Sequence, residues 1–171
     1  MVAGVALALV AHAHAAAPPL PGSVQAAAPG LEVRGGGRLT FFGIAVYDGW
    51  YWSAEGGWPA GGAYALDLVY HRDLDGGRIV QRSVDEIAKL GYGTPEQRAH
   101  WGALMTRIFP DVRKGDRLTG VHTDAGAVRY FFNGNPIGVI DEPGFARAFF
   151  GIWLDPNTSR ADFRQKLLGH P

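Results

Sequence analysis

Arg38 is the first residue whose setting suggests chemistry. It heads the stretch "GGGRLTFFGIAVYDGWYW", residues 35–52, between three glycines and an aromatic-rich run whose only acid is Asp48. Read as one strand with a period of two, Arg38, Thr40, Phe42, Ile44 and Val46 share one face, and Leu39, Phe41, Ala45 and Tyr47 the other. Neither face is polar enough to be a solvated surface, which is the pattern of a strand covered on both sides. A guanidinium at a rim can snorkel into water. Enclosed, it needs an anion, either an internal carboxylate or the head of a ligand. Thr40 on the same face, with Tyr47 and Tyr51 farther along, brings hydroxyls that need partners if buried.

Other chemistries find little support. Of the six histidines, His12 and His14 lie near the N-terminus and His170 near the C-terminus. His71, His100 and His122 lack the spacing that makes metal ligation expected, so no metal and no cofactor is assigned. Ser83 and Ser159 read as helix caps and Ser53 as a loop residue, and there is no G-x-S-x-G elbow for a serine nucleophile. Gly35-Gly36-Gly37 leads into a strand rather than a helix and has no G-K-[ST] behind it, so it reads as a turn, not a phosphate loop. With no cysteine in the chain, disulfides, zinc–thiolate sites, iron–sulfur clusters and cysteine nucleophiles are excluded.

The elements that position these residues belong to one domain. The 171 residues are 47% hydrophobic and 12% aromatic, with 16 basic and 16 acidic side chains balancing to zero. That is a core-forming composition with no polyanion-binding surface, so nucleic acid is not an expected partner. Residues 1–17 read as a signal peptide, with an apolar run from Val2 to Val10 and small residues suited to cleavage near Ala17, which implies a periplasmic or otherwise exported protein. The run is too short to span a membrane. Residues 18–30 read as a flexible lead-in, and 31–171 as the domain.

Along that domain, "AYALDLVYHRDL" alternates as a strand, with Tyr64, Leu66, Leu68 and Tyr70 on one face. "GGRIVQRSVDEIAKLG" reads as a helix with a Ser83/Glu86 capping box and Gly91 as its stop, and Thr94, Pro95 and Gln97 open another. Turn signals at Lys114-Gly115-Asp116, Asp124-Ala125-Gly126 and Asn133-Gly134 divide the next stretch into antiparallel strands. A helix starts near Asp141 and Pro143, and Ser159 and Asp162 open a short last one. This order predicts an α+β domain, a largely antiparallel sheet with helices packed on one face.

Five segments, taken in order, resemble the bacterial, exported branch of the chalcone isomerase-like superfamily: "GGGRLTFFGIAVYDGWYW", "LDLVYHRDLDGGRIVQRSVDEI", "GDRLTG", "VRYFFNGNPIGVI" and "FARAFFGIWLDPNTS". The resemblance runs from about Leu31 to Leu168 and implies an antiparallel sheet, helices against it and a cleft between. Chalcone isomerases close a chalcone to a flavanone, stabilising the developing enolate with an arginine and polar hydroxyls. Related fatty-acid-binding members grip a carboxylate with an arginine and a tyrosine. Carried over, those residues are Arg38 and Tyr47, with Thr40 as a further donor, although Arg38 stands one place closer to the tyrosine than the family pattern has it. A one-residue offset turns a side chain to the opposite face unless a bulge intervenes. The isomerases' strand threonine falls at Phe42, and "GRIVQRSVDEIAKL" has neither the tyrosine nor the asparagine of their helix. Each such donor is typically worth a few kcal/mol of transition-state stabilisation, so that activity is not carried over. The expectation is a non-catalytic binder of a small amphipathic, fatty-acid-like ligand, without an integral membrane segment once the leader is removed. An intramolecular lyase of the chalcone isomerase type and a structural or partner-binding periplasmic protein are its rivals.

Overall fold

The computed structural model describes residues 16–170, so all of the expected leader except Ala16 and Ala17 lies outside the described residues. Six strands, β1 (Glu32–Phe41), β2 (Ile44–Ser53), β3 (Tyr64–Tyr70), β4 (Arg117–His122), β5 (Val128–Phe132) and β6 (Asn135–Ile140), form one sheet in sequential order. Every neighbouring pair is antiparallel. Helices α2 (Gly76–Lys89) and α3 (Pro95–Thr106) separate β3 from β4, and α4 (Phe145–Leu154) and α5 (Ala161–Leu167) follow β6. This is the predicted α+β architecture.

Local chemistry explains most of these boundaries. Thr94 caps α3 with the predicted reciprocal bonds to Gln97, and Pro95 occupies the first turn, where its missing N–H costs nothing. Asn133 and Gly134 carry φ of 49° and 81° between β5 and β6, the left-handed pair a tight hairpin requires. Two helix starts differ from expectation. Asp75 caps α2 by accepting from the Arg78 N–H, so the helix begins well before Ser83. The Ser83 hydroxyl instead donates to the Ile79 carbonyl within the helix, and Ser159 donates to Glu86 rather than capping α5. Helix α4 is buried along almost its whole length, with Phe145, Phe149, Phe150, Ile152, Trp153 and Leu154 in the core, as a helix apolar on all sides must be.

The aromatic stretch is not one strand. It turns at Phe42-Gly43, with φ of 48° and 76°, and Phe41 pairs with Ile44 across the hairpin. The glycines before Arg38 permit a close approach rather than a turn. A Cβ on Gly35 would lie 2.6 Å from the Gly169 nitrogen, and one on Gly37 would lie 2.7 Å from Cδ of Lys166. Their bare backbone lets the end of α5 lie directly on β1.

The lead-in, expected to be loose, is folded against the sheet. Residues Gly22–Ala27 form helix α1, which lies on the face of the sheet opposite the other helices. Leu20, Val24 and Ala28 pack there with Trp50, Trp52, Ala65, Val121 and Phe131 as a second apolar cluster. Beneath this strap, Arg117 makes a two-pronged ion pair with the fully buried Asp67, at 2.6 and 2.8 Å. Thr119 donates to the same carboxylate, and Arg117 also reaches the Pro19 carbonyl. Ser23 bonds to the Gly134 carbonyl. Apolar burial and satisfied polar groups both hold residues that composition alone marks as loose.

Candidate functional site

Between the inner face of the sheet and α2 and α4 lies a cleft of about 480 Å³, within the range of small-molecule sites. Leu39, Leu68, Tyr70, Phe109, Leu118 and Phe149 line its apolar depth, while Arg72, Arg78, Arg82 and Arg160 also contribute to its wall. A groove of about 470 Å³ beside Trp58, Tyr64, His122 and Arg147 is lined largely by loop residues. The cleft is instead walled mostly by strands and helices.

Tyr47 is the expected site residue that the structure places in the cleft. A register shift between Leu39 and Thr40 leaves Val46 without a direct partner on β1, and both Val46 and Tyr47 then line the cleft. The Trp153 indole N–H donates to the Tyr47 hydroxyl at 2.8 Å, leaving the phenolic O–H itself to donate. Burial pushes the Tyr47 pKa up to about 12, against the lowering effects of the Trp153 bond and the Arg160 charge. At neutral pH this group is therefore a protonated donor at an apolar wall.

Arg38 and Thr40 lie elsewhere, and the expectation that Arg38 turns into the cleft is corrected. Arg38 and Asp48 are cross-strand partners on the outer face, with Nε to Oδ1 at 2.8 Å and Nη2 to Oδ2 at 3.0 Å. His71 Nε2 sits 2.8 Å from the same carboxylate. The Arg38 side chain is 52% exposed. Burial alone would raise the Asp48 pKa, but hydrogen bonds from Arg38 and His71 outweigh it and hold the carboxyl below its ordinary value. Thr40 is exposed and pairs with Ala45 on this same outer face. The physical reason is parity: Leu39 and Phe41 take the inner positions of β1, so Arg38 and Thr40 must take the outer ones.

Of the cations at the cleft, Arg72, Arg78 and Arg82 come from the β3–α2 connection and α2, and Arg160 from the residue before α5. Arg82 is held by Glu86 at 2.7 Å. Burial alone would raise the Glu86 pKa, but Ser159, Lys89 and Arg82 together hold it below the usual carboxylate range. Arg160 has no carboxylate partner among the described residues; its guanidinium lies 5.6 Å from the centre of the Phe41 ring. Arg72 and Arg78 likewise have no ion pair among the described residues, and their side chains are exposed. Sequence reasoning missed these arginines, although Ile79, Arg82, Ser83 and Glu86 recur at the spacing of one helical stripe. Among the described residues no group of three or more His, Asp or Glu side chains could hold a metal, and no helix is long and apolar enough to cross a membrane.

Residues 66–169 match the family described as chalcone isomerase-like. Among solved structures, a fatty-acid binding protein of Arabidopsis thaliana superposes with a TM-score of 0.63 at 10% identity, covering 82% of this chain and 88% of that one. At that identity the likeness shows the fold alone. No curated protein matches the sequence.

Proposed function

This chain belongs to the chalcone isomerase-like family, and from that premise we propose that it is an exported, non-catalytic binder of a fatty-acid-like molecule. The acyl chain occupies the apolar depth of the cleft between Leu68, Phe109, Leu118 and Phe149, and the carboxylate meets Arg160 and the Tyr47 hydroxyl. One observation carries the reading: Arg160, a cation with no carboxylate partner among the described residues, and a protonated phenol share the wall of a cavity whose depth is apolar. A buried anion needs both charge and directed donors, and both are present. The fatty-acid binding protein with the same fold supports the choice of ligand class. Export is supported by the leader-like N-terminus and by the position of the strap, since cleavage after Ala17 leaves Leu20, Val24 and Ala28 intact.

The test is a titration with a fluorescent fatty acid, repeated on Arg160→Ala. A hydrogen bond to a charged group contributes about 1.5–3 kcal/mol, so affinity should fall roughly 10- to 100-fold. Unchanged affinity contradicts the reading. No cyclisation is expected when the protein is mixed with a chalcone and absorbance is followed.

A further inference from the structure

The two tight hairpins of the sheet have the same turn conformation but different residues. Between β5 and β6, Asn133-Gly134 takes φ of 49° and 81°; between β1 and β2, Phe42-Gly43 takes 48° and 76°. Asparagine tolerates the left-handed region because its short amide can bond locally, and phenylalanine has no such compensation. The strain is not offset by packing into the core, for Phe42 is 89% exposed. Its neighbours are also bare: Phe41 is 49% and Ile44 55% exposed. The Phe41 and Phe42 rings meet edge to face at 4.5 Å, and Phe41 lines the cleft. An apolar finger therefore stands at the cleft's opening.

Cations flank this finger. Arg160 lies against Phe41. The His71 backbone N–H donates to the Val46 carbonyl at 2.8 Å, which places Arg72 beside the hairpin, and Arg78, on the first turn of α2, lines the same cleft as Phe41. The acids of the β3–α2 connection, Asp73 and Asp75, accept from the Lys114 and Arg78 N–H groups but keep their charge, so they partly offset Arg72 and Arg78, and Arg160 is the cation in contact with the tip. Arg72, Arg78 and Arg160 make no ion pair among the described residues, so their guanidinium donors stay open to an outside anion beside the aromatic tip. Aromatic side chains settle at the headgroup level of a bilayer, and basic residues next to them are drawn to anionic lipid.

We propose that the Phe42 hairpin, flanked by Arg72, Arg78 and Arg160, docks on an anionic lipid bilayer and brings the mouth of the cleft to the membrane surface. This rests on the cleft being a fatty-acid site, because docking there gives a lipid-like guest a path that avoids water. Phe42→Asn installs the residue that the other hairpin already uses, so the variant should fold at least as stably as the parent.

The experiment is cosedimentation of the whole protein with phosphatidylcholine vesicles, with and without phosphatidylglycerol, alongside the fatty-acid titration in solution. The parent should bind the mixed vesicles, bind them less as salt rises, and bind pure phosphatidylcholine weakly. Phe42→Asn with Ile44→Thr should lower vesicle binding about tenfold or more while fatty-acid affinity stays within twofold, as expected of residues that touch bilayer but not guest. Absence of parent binding to either vesicle overturns the proposal, as does binding untouched by the double variant. Light scattering that shows a dimer in the parent and a monomer in the variant also overturns it, by assigning the finger to a second copy. Vesicle binding without fatty-acid binding would leave the docking surface standing and remove the cleft's assigned guest; the reverse removes the docking surface alone.

Discussion

The two faces of the sheet treat arginine in opposite ways. On the outer face, Arg38 and Arg117 each grip an aspartate with two nitrogens, and the aspartates accept further bonds from His71 and Thr119. At the cleft, Arg82 is paired with Glu86, but Arg72, Arg78 and Arg160 make no ion pair among the described residues, and the hydroxyl of Tyr47 still has a proton to give. A guanidinium whose donors are already taken holds the fold together. One whose donors remain open can receive an anion from outside, so occupancy of the fork, more than arginine itself, separates structure from function.

The largest expected effect breaks the outer face. Removing one member of a buried pair leaves the other charge uncompensated, at a cost of about 3–5 kcal/mol. Asp67→Ala should therefore lower the urea midpoint sharply, with ligand affinity of the surviving folded protein unchanged. Next comes the cleft, where Tyr47→Phe deletes one donor to the guest and the acceptor of Trp153. A loss of about 1 kcal/mol in binding, or roughly fivefold in affinity by calorimetry, is expected. A smaller effect concerns pH. Because the folded Asp48 carboxyl lies below its ordinary value, its stabilising contribution is complete above the unfolded pKa near ~3.9 and is lost as pH falls through the lower folded one. The stability gap between the parent and Asp48→Asn should thus be steady at neutral pH and narrow only in acid. A gap that widens toward low pH would show that the pairing has been misread.

Much of this architecture was legible in the chain. The alternation of "AYALDLVY", the Asn133-Gly134 turn and the Thr94–Gln97 capping box are local signals, and each appears where local physics puts it. Tyr47 came into view through the family resemblance rather than through alternation: the one-strand reading grouped it with Ala45, whereas Ala45 pairs with Thr40 on the outer face and Val46 lines the cleft. Arg38 was misjudged because its partner, Asp48, comes opposite it only once the chain folds back at Phe42-Gly43, a turn that no asparagine announces. Ser83 and Ser159 resembled caps, yet their hydroxyls answer to Ile79 and to Glu86 on a distant helix. Arg160 meets Arg72 and Arg78 only through tertiary packing, so no window of sequence contains all three. The strap was missed for a different reason: Leu20, Val24 and Ala28 recur at every fourth position and each is buried, but the Pro- and Ala-rich composition around them masks that stripe.

The most direct measurement compares Arg38→Ala with Arg160→Ala in parallel fatty-acid titrations, with circular dichroism confirming that both fold. The account predicts parent-like affinity for the first and a loss of roughly 10-fold or more for the second. The opposite ranking would mean that the outer-face arginine leaves Asp48 to meet the ligand, and would contradict the assignment of the cleft.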